Sequence, residues 1–198
     1  MNNRHRIISL HRAILIISGV ALLAVIALPI WRIELDAAQY PEGLELLIYS
    51  YKLDGHVDII NGLNHYIGMK TLRADDFIEF TVLPYLIGIY GLAFIVVGFL
   101  GKRKGLYILF AAFLLFGVVS MVDFWRWLYE YGHDLDPTAP IKVPGMAYQP
   151  PLIGFKQLLN FGAFSIPAIG GWIFIASGVL LAYCVFGEWR IAKTWAKS

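Results

Sequence analysis

Four uncharged apolar runs constrain this chain more than anything else in it. "AILIISGVALLAVIALPIW" occupies 13–31, "FTVLPYLIGIYGLAFIVVGFL" 80–100, "LYILFAAFLLFGVVSMV" 106–122 and "FGAFSIPAIGGWIFIASGVLLAYCVF" 161–186. A helix needs about 20 predominantly apolar residues to cross roughly 30 Å of hydrocarbon, so each run reads as a membrane span. The composition agrees: 59% of residues are hydrophobic, 15% are charged and the mean hydropathy is +0.65, against about 45–50% apolar in a soluble domain. The expected fold class is an all-α membrane protein, with four transmembrane helices and two structured extracytoplasmic loops. The first run follows a basic start, but it is longer than a signal-peptide core of about 7–15 residues and has no small-x-small cleavage site, so it reads as a retained span.

Orientation follows from the basic residues. Arg4, Arg6 and Arg12 lie in the tail 1–12, Lys102, Arg103 and Lys104 in the loop 101–105, and Arg190, Lys193 and Lys197 in the tail 187–198, where Glu188 is the only acid among the three segments. By the positive-inside rule these segments are cytoplasmic, and the long loops 32–79 and 123–160 face outward. The net charge of +2 comes from this rim and points to anionic lipid rather than nucleic acid as the partner. The lone Cys184 allows no disulfide framework and reads as a packing residue.

The outer loops are unlike one another. In the first, "LELLIYSYKL" followed by Asp54-Gly55 fits a short hairpin. Beyond it, "DIINGLNHYIGMK" sets Ile59, Leu63 and Ile67 at helical spacing behind Asp58, which predicts an amphipathic helix on the membrane surface. Carried to its end, that helix puts Asn61, His65 and Met69 on one face. In the second loop, Trp125, Trp127, Tyr129 and Tyr131 form an interfacial aromatic belt, and five prolines between 137 and 151 exclude a long helix. The segment "IGFKQLLNF" reads as lying along the surface.

Outward-facing donor side chains are His56, His65, Met69, His133 and Met146. Imidazole and thioether together suit Cu(I), and i, i+4 spacing would let His65 and Met69 share one ion. An interfacial histidine more often hydrogen-bonds a carbonyl or lipid headgroup than binds a metal, and a methionine can simply fill a turn, so the pair alone does not establish a site. Asp123, at the lip of the third run, is costly unless paired, and Arg126 stands at helical spacing from it. No Walker loop, dinucleotide-binding glycine pattern or nucleophile elbow is present, a single cysteine excludes c-type haem attachment, and the spans carry almost no interior charge; the chain reads as a non-enzyme.

The strings "ELDAAQYPEGLELLIY", "GHVDIINGLNHYIGMK" and "DFWRWLYEYGHDLDPTAPIKVPGMAYQPPLIGFKQLLNF" together resemble a poorly characterised family of four-span bacterial membrane proteins associated with nitrous-oxide reductase maturation and copper trafficking. The resemblance covers nearly the whole chain. It implies an accessory role on the outer face of the cytoplasmic membrane, serving a periplasmic copper enzyme, with His65, Met69, His133 and Met146 as the matching positions and His56 a further donor. The competing expectations are a non-catalytic scaffold or electron-transfer-complex subunit that grips a partner through its outer loops and, ranked last, a quinol-linked redox subunit at Asp123.

Overall fold

The computed structural model describes residues 6–158 and 161–195. Five α-helices and five strands follow one another along it: α1 (Ser9–Val25), β1 (Trp31–Ala37), β2 (Tyr40–Ile48), β3 (Leu53–Gly55), α2 (Val57–Ile67), α3 (Glu79–Leu100), α4 (Arg103–His133), β4 (Gly154–Leu158), β5 (Phe161–Pro167) and α5 (Ile169–Trp195), with a 3-10 turn at Ala74–Asp76. The strands make one antiparallel sheet in the order β3-β2-β1-β5-β4.

The expected all-α protein with four spans is therefore corrected on two counts. The chain carries a five-stranded sheet, and three of its helices, α3, α4 and α5, are long and apolar enough to cross a membrane, whereas α1 stops at 17 residues. The reason lies at the ends of two apolar runs. The first run loses its helix after Val25, ahead of Pro29, and Trp31 already opens β1; the last run begins as β5 and turns helical only at Ile169. β1 and β5 pair along their whole length, from Trp31 opposite Pro167 to Ala37 opposite Phe161. The two outer segments thus build a single module rather than two loops. The hairpin also differs in register: the reversal falls between Ile48 and Leu53, where Tyr49 N–H donates to Lys52 O at 2.9 Å, and Asp54-Gly55 belongs to β3. Within "IGFKQLLNF", Gly154–Leu158 form the edge strand β4, with Phe155, Lys156 and Gln157 exposed; residues 159 and 160 lie outside the described residues.

The bundle rests on close backbone approach. A Cβ on Gly19 of α1 would lie 2.6 Å from Gly91 O of α3; small residues at such crossings let helices meet where lipid leaves little hydrophobic drive for association. Around this contact Leu15, Leu22, Phe94, Leu106, Phe113 and Leu181 form a dry core. The outward faces of α3, α4 and α5 carry large exposed apolar side chains, among them Ile89, Val96, Leu115, Val119, Ile175 and Val179, the pattern expected of surface in contact with lipid.

Helix α4 connects the bundle to the sheet module. At 31 residues it is about 46 Å long, more than a bilayer core requires. Its last turns, through Trp127, Leu128 and Tyr131, pack under the sheet with Trp31, Ile33, Leu44, Leu46, Ile60 and Leu72. Of the four aromatic residues read as an interfacial belt, Trp125 and Tyr129 are exposed, whereas Trp127 and Tyr131 join this core: Trp127 meets Tyr131 at 5.2 Å and stacks on Phe124 at 5.6 Å, and Phe124 meets Trp31 at 5.1 Å.

Candidate ligand cavity between the sheet and the bundle

The stretch "INGLNHYIGMK" is shaped by backbone demands. Helix α2 ends where Gly68 takes the left-handed conformation (φ 79°), a position L side chains rarely adopt. A Cβ there would also sit 2.9 Å from Asp136 O. Past this break the chain turns back along the helix: Met69 N–H donates to Asn64 O at 2.9 Å, and the Asn61 amide both donates to Leu72 O at 3.1 Å and accepts from Leu72 N–H at 2.7 Å. The second loop docks on the same corner, Asp136 N–H donating to Gly68 O at 2.8 Å and Ile141 N–H to Tyr66 O at 2.9 Å. Met69 is consequently outside the helix, and the single face expected for Asn61, His65 and Met69 does not form.

The proposed donor atoms are placed separately. Met69 packs half-buried against the module core, while His65 is exposed, edge-on to Tyr66 and close enough to Asp136 to help hold that carboxyl below its usual range. The larger part of that lowering comes from Thr138, whose hydroxyl and N–H both donate to Asp136 Oδ1 at 2.7 Å. His56 Nδ1 accepts from Glu45 N–H at 3.0 Å, which leaves the proton of a neutral ring on Nε2 and neither nitrogen open to a metal. His133 has the opposite tautomer: Nδ1–H donates to Tyr129 O at 2.9 Å, the ring stacks on Tyr129 at 3.9 Å, and Nε2 keeps its lone pair. Met146 lies half-buried in a turn, its N–H donating to Val143 O at 3.1 Å. Among the described residues no group of three or more His, Cys, Asp or Glu side chains is arranged to hold a metal ion. Asp123 is half-buried and makes no ion pair with Arg126.

What the corner does create is a chamber. A cavity of about 480 Å³ lies between the inner face of β1 and β2, helix α2, the end of α4 and the segment that returns through Tyr148 and Pro150. No charged side chain lines it; Ile33, Leu46, Leu63, Met69, Leu128 and Leu158 are among the apolar residues of its wall. Two lining residues carry polar atoms that are buried without a hydrogen-bond partner, the Tyr148 hydroxyl and Trp127 Nε1. Tyr148 is 2% exposed, fixed by its N–H to Gly132 O at 2.9 Å and by stacking on Phe161. Gly132 admits it because a Cβ there would fall 2.4 Å from the Gln149 backbone.

A second polar feature lies at the opposite end of the bundle, where the segments 1–12, 101–105 and 187–198 that flank the apolar runs meet. Glu188 is fully buried: its carboxylate meets His11 Nδ1 and Arg103 Nε, each at 2.8 Å, and accepts from Ile8 N–H at 2.8 Å. Its position beside other charged residues in the sequence hides this. Only the meeting of three distant segments reveals it.

No protein-family model and no curated protein matches the chain.

Proposed function

We propose that this chain is a membrane-embedded accessory protein that holds an apolar small molecule in the chamber beneath its sheet. The observation that carries the reading is that chamber: a cavity of about 480 Å³ with an uncharged, mainly aliphatic and aromatic wall, the usual character of a small-molecule site. The basic residues Arg12, Lys102, Lys104, Arg190 and Lys193 lie at the end of the bundle away from the sheet. This supports an outer-face position for the module on the bacterial cytoplasmic membrane. Such a position also suits the accessory role implied by the resemblance. The test is native mass spectrometry of the detergent-solubilised protein, followed by solvent extraction. Wild type should retain a stoichiometric apolar compound, and Leu63→Trp, which fills the half-open wall, should lose it at an unchanged fold. A wild-type spectrum showing protein and loosely bound lipid only, with no thermal protection by added tridecane, overturns the proposal.

The copper role is a separate proposal, favoured by one geometric feature, the free Nε2 of His133. A Cu(I) titration that is unchanged in His133→Ala removes it.

A further inference from the structure

Three cations meet around Gly101, at the end of the bundle away from the sheet. Ile7 N–H donates to Gly101 O at 2.8 Å, and Arg6 and Lys102 stand directly opposite each other in an isolated antiparallel bridge. Side chains of such partners project from the same side with Cβ atoms about 5 Å apart, and like charges so placed repel. Arg12 reaches the same point from α1. Its Nε donates to Gly98 O and its Nη2 to Phe99 O, each at 2.9 Å, and a Cβ on Gly101 would lie 3.1 Å from its Nε. These two carbonyls anchor the guanidinium and leave Nη1 without a hydrogen bond among the described residues.

No carboxylate balances the group. Among the described residues none of the three cations forms an ion pair. Glu188, the only acid in the segments 1–12, 101–105 and 187–198, is buried against His11, Arg103 and Ile8. Arg6 and Lys102 are exposed, and α4 starts from Lys102 with no acidic side chain in its first turn to offset the positive end of the helix dipole. Arg190 and Lys193, on α5 at the same end, differ: they already lie over the rings of Phe186 and Trp189, at 5.4 and 5.2 Å. What the corner lacks is an anion, and its surroundings favour one that carries hydrocarbon. Phe99 and Leu100, both exposed, end α3, a helix long and apolar enough to cross a membrane, and Leu10 of α1 is exposed as well. We infer that the corner of Arg6, Arg12 and Lys102 binds one anionic phospholipid, its phosphate held by the three cations and its chains lying along Leu10, Phe99 and Leu100. This site is separate from the chamber beneath the sheet and does not depend on it.

The test uses the full chain in detergent with three probes: dioleoyl phosphatidylglycerol, dioleoyl phosphatidylcholine and glycerol 3-phosphate. Native mass spectrometry counts bound lipid, and the dose dependence of the melting temperature gives affinity. Wild type should hold one phosphatidylglycerol more tightly than phosphatidylcholine, with glycerol 3-phosphate weakest. Arg6→Gln with Lys102→Gln should weaken phosphatidylglycerol by about tenfold, the scale of two cations at a membrane surface, and leave phosphatidylcholine unchanged; an unaltered melting temperature without lipid shows that the variant is folded. Arg190→Gln with Lys193→Gln makes the same change in net charge at the same end and should keep the preference. If the two double variants weaken phosphatidylglycerol equally, binding follows net charge rather than this corner and the inference falls. Equal binding of the two lipids by wild type also overturns it. If glycerol 3-phosphate protects as well as the lipid, the site takes free phosphate esters and the lipid assignment is wrong.

Discussion

Asn61 satisfies both backbone polar groups of Leu72, accepting from its N–H at 2.7 Å and donating to its C=O at 3.1 Å. One side chain thereby substitutes for a missing strand neighbour and fastens the segment after α2 back onto the helix, with Leu72 buried in the module core. Asn61→Ala removes both bonds in a partly buried setting and leaves two backbone groups to find water. The expected loss is about 1–3 kcal/mol of module stability. Asn61→Asp keeps the acceptor but sets a carboxylate oxygen against the Leu72 carbonyl, so it should not restore the stability of wild type. Thermal unfolding followed by near-ultraviolet circular dichroism, which reports the Trp and Tyr cluster, measures both; an Asn61→Ala protein as stable as wild type would contradict the clamp.

Legibility in the sequence followed the range of the interactions. The long helices were readable because hydrophobicity over about 20 residues is a local property. "WRIELDA" was readable in principle, since its alternation of apolar and charged residues is the period of a half-buried strand, and Trp31, Ile33 and Ala37 are indeed the buried positions. It was obscured by adjoining an apolar run. "FGAFSIP" carries no such signal: β5 lies between β1 and β4, and Gly162, Ala163 and Ser165 are buried alike, so it merges with the helix that follows. Gly68 announced a helix stop, which separates Met69 from His65, yet regular spacing read straight through it. The cavity was not legible at all, because its wall is drawn from segments between Ile33 and Phe161 that only tertiary structure brings together.

The α1–α3 crossing predicts a sharp size limit at Gly19. A Cβ there would stand 2.6 Å from Gly91 O and 2.7 Å from the Ile95 side chain. Backbone cannot yield as a flexible side chain can, so Gly19→Val should separate the helices and cost about 1–3 kcal/mol, the range for overpacking. Gly62→Ala is the control, since nothing lies within 4 Å of a Cβ at that position. Comparing melting temperatures of the two variants in detergent decides the point: equal values would show that the crossing is not tight.

Acid should loosen the docking of the second loop on α2. Asp136 has its pKa lowered, first by the Thr138 hydroxyl and N–H and to a smaller degree by His65 and Lys142. A carboxyl depressed in the folded state contributes stability that is present above its ordinary value of 3.8 and is lost as pH falls through the lower folded value. Amide exchange at Thr138, Ala139 and Ile141, corrected for intrinsic rates, should accelerate below about pH 4 in wild type. In Asp136→Asn it should already be faster at neutral pH, with little further acid dependence. Equal protection of the two proteins at pH 7 would rule out this role for the carboxylate.

At the other end of the bundle, Glu188 joins the N-terminal segment, α4 and α5 through Ile8, His11 and Arg103. Removing one member of a buried ionic cluster is more damaging than replacing the whole cluster, because the remaining charge loses its partner but keeps its desolvation cost. Glu188→Ala should therefore destabilise the protein by about 3–5 kcal/mol. The triple variant His11→Leu, Arg103→Met, Glu188→Leu should recover a large part of that loss. Denaturant unfolding in a single detergent compares the three proteins directly. If Glu188→Ala alone unfolds like wild type, the carboxylate does not hold these segments together. If the triple variant is no better than the single one, the cluster acts through specific hydrogen-bond geometry that apolar packing cannot replace.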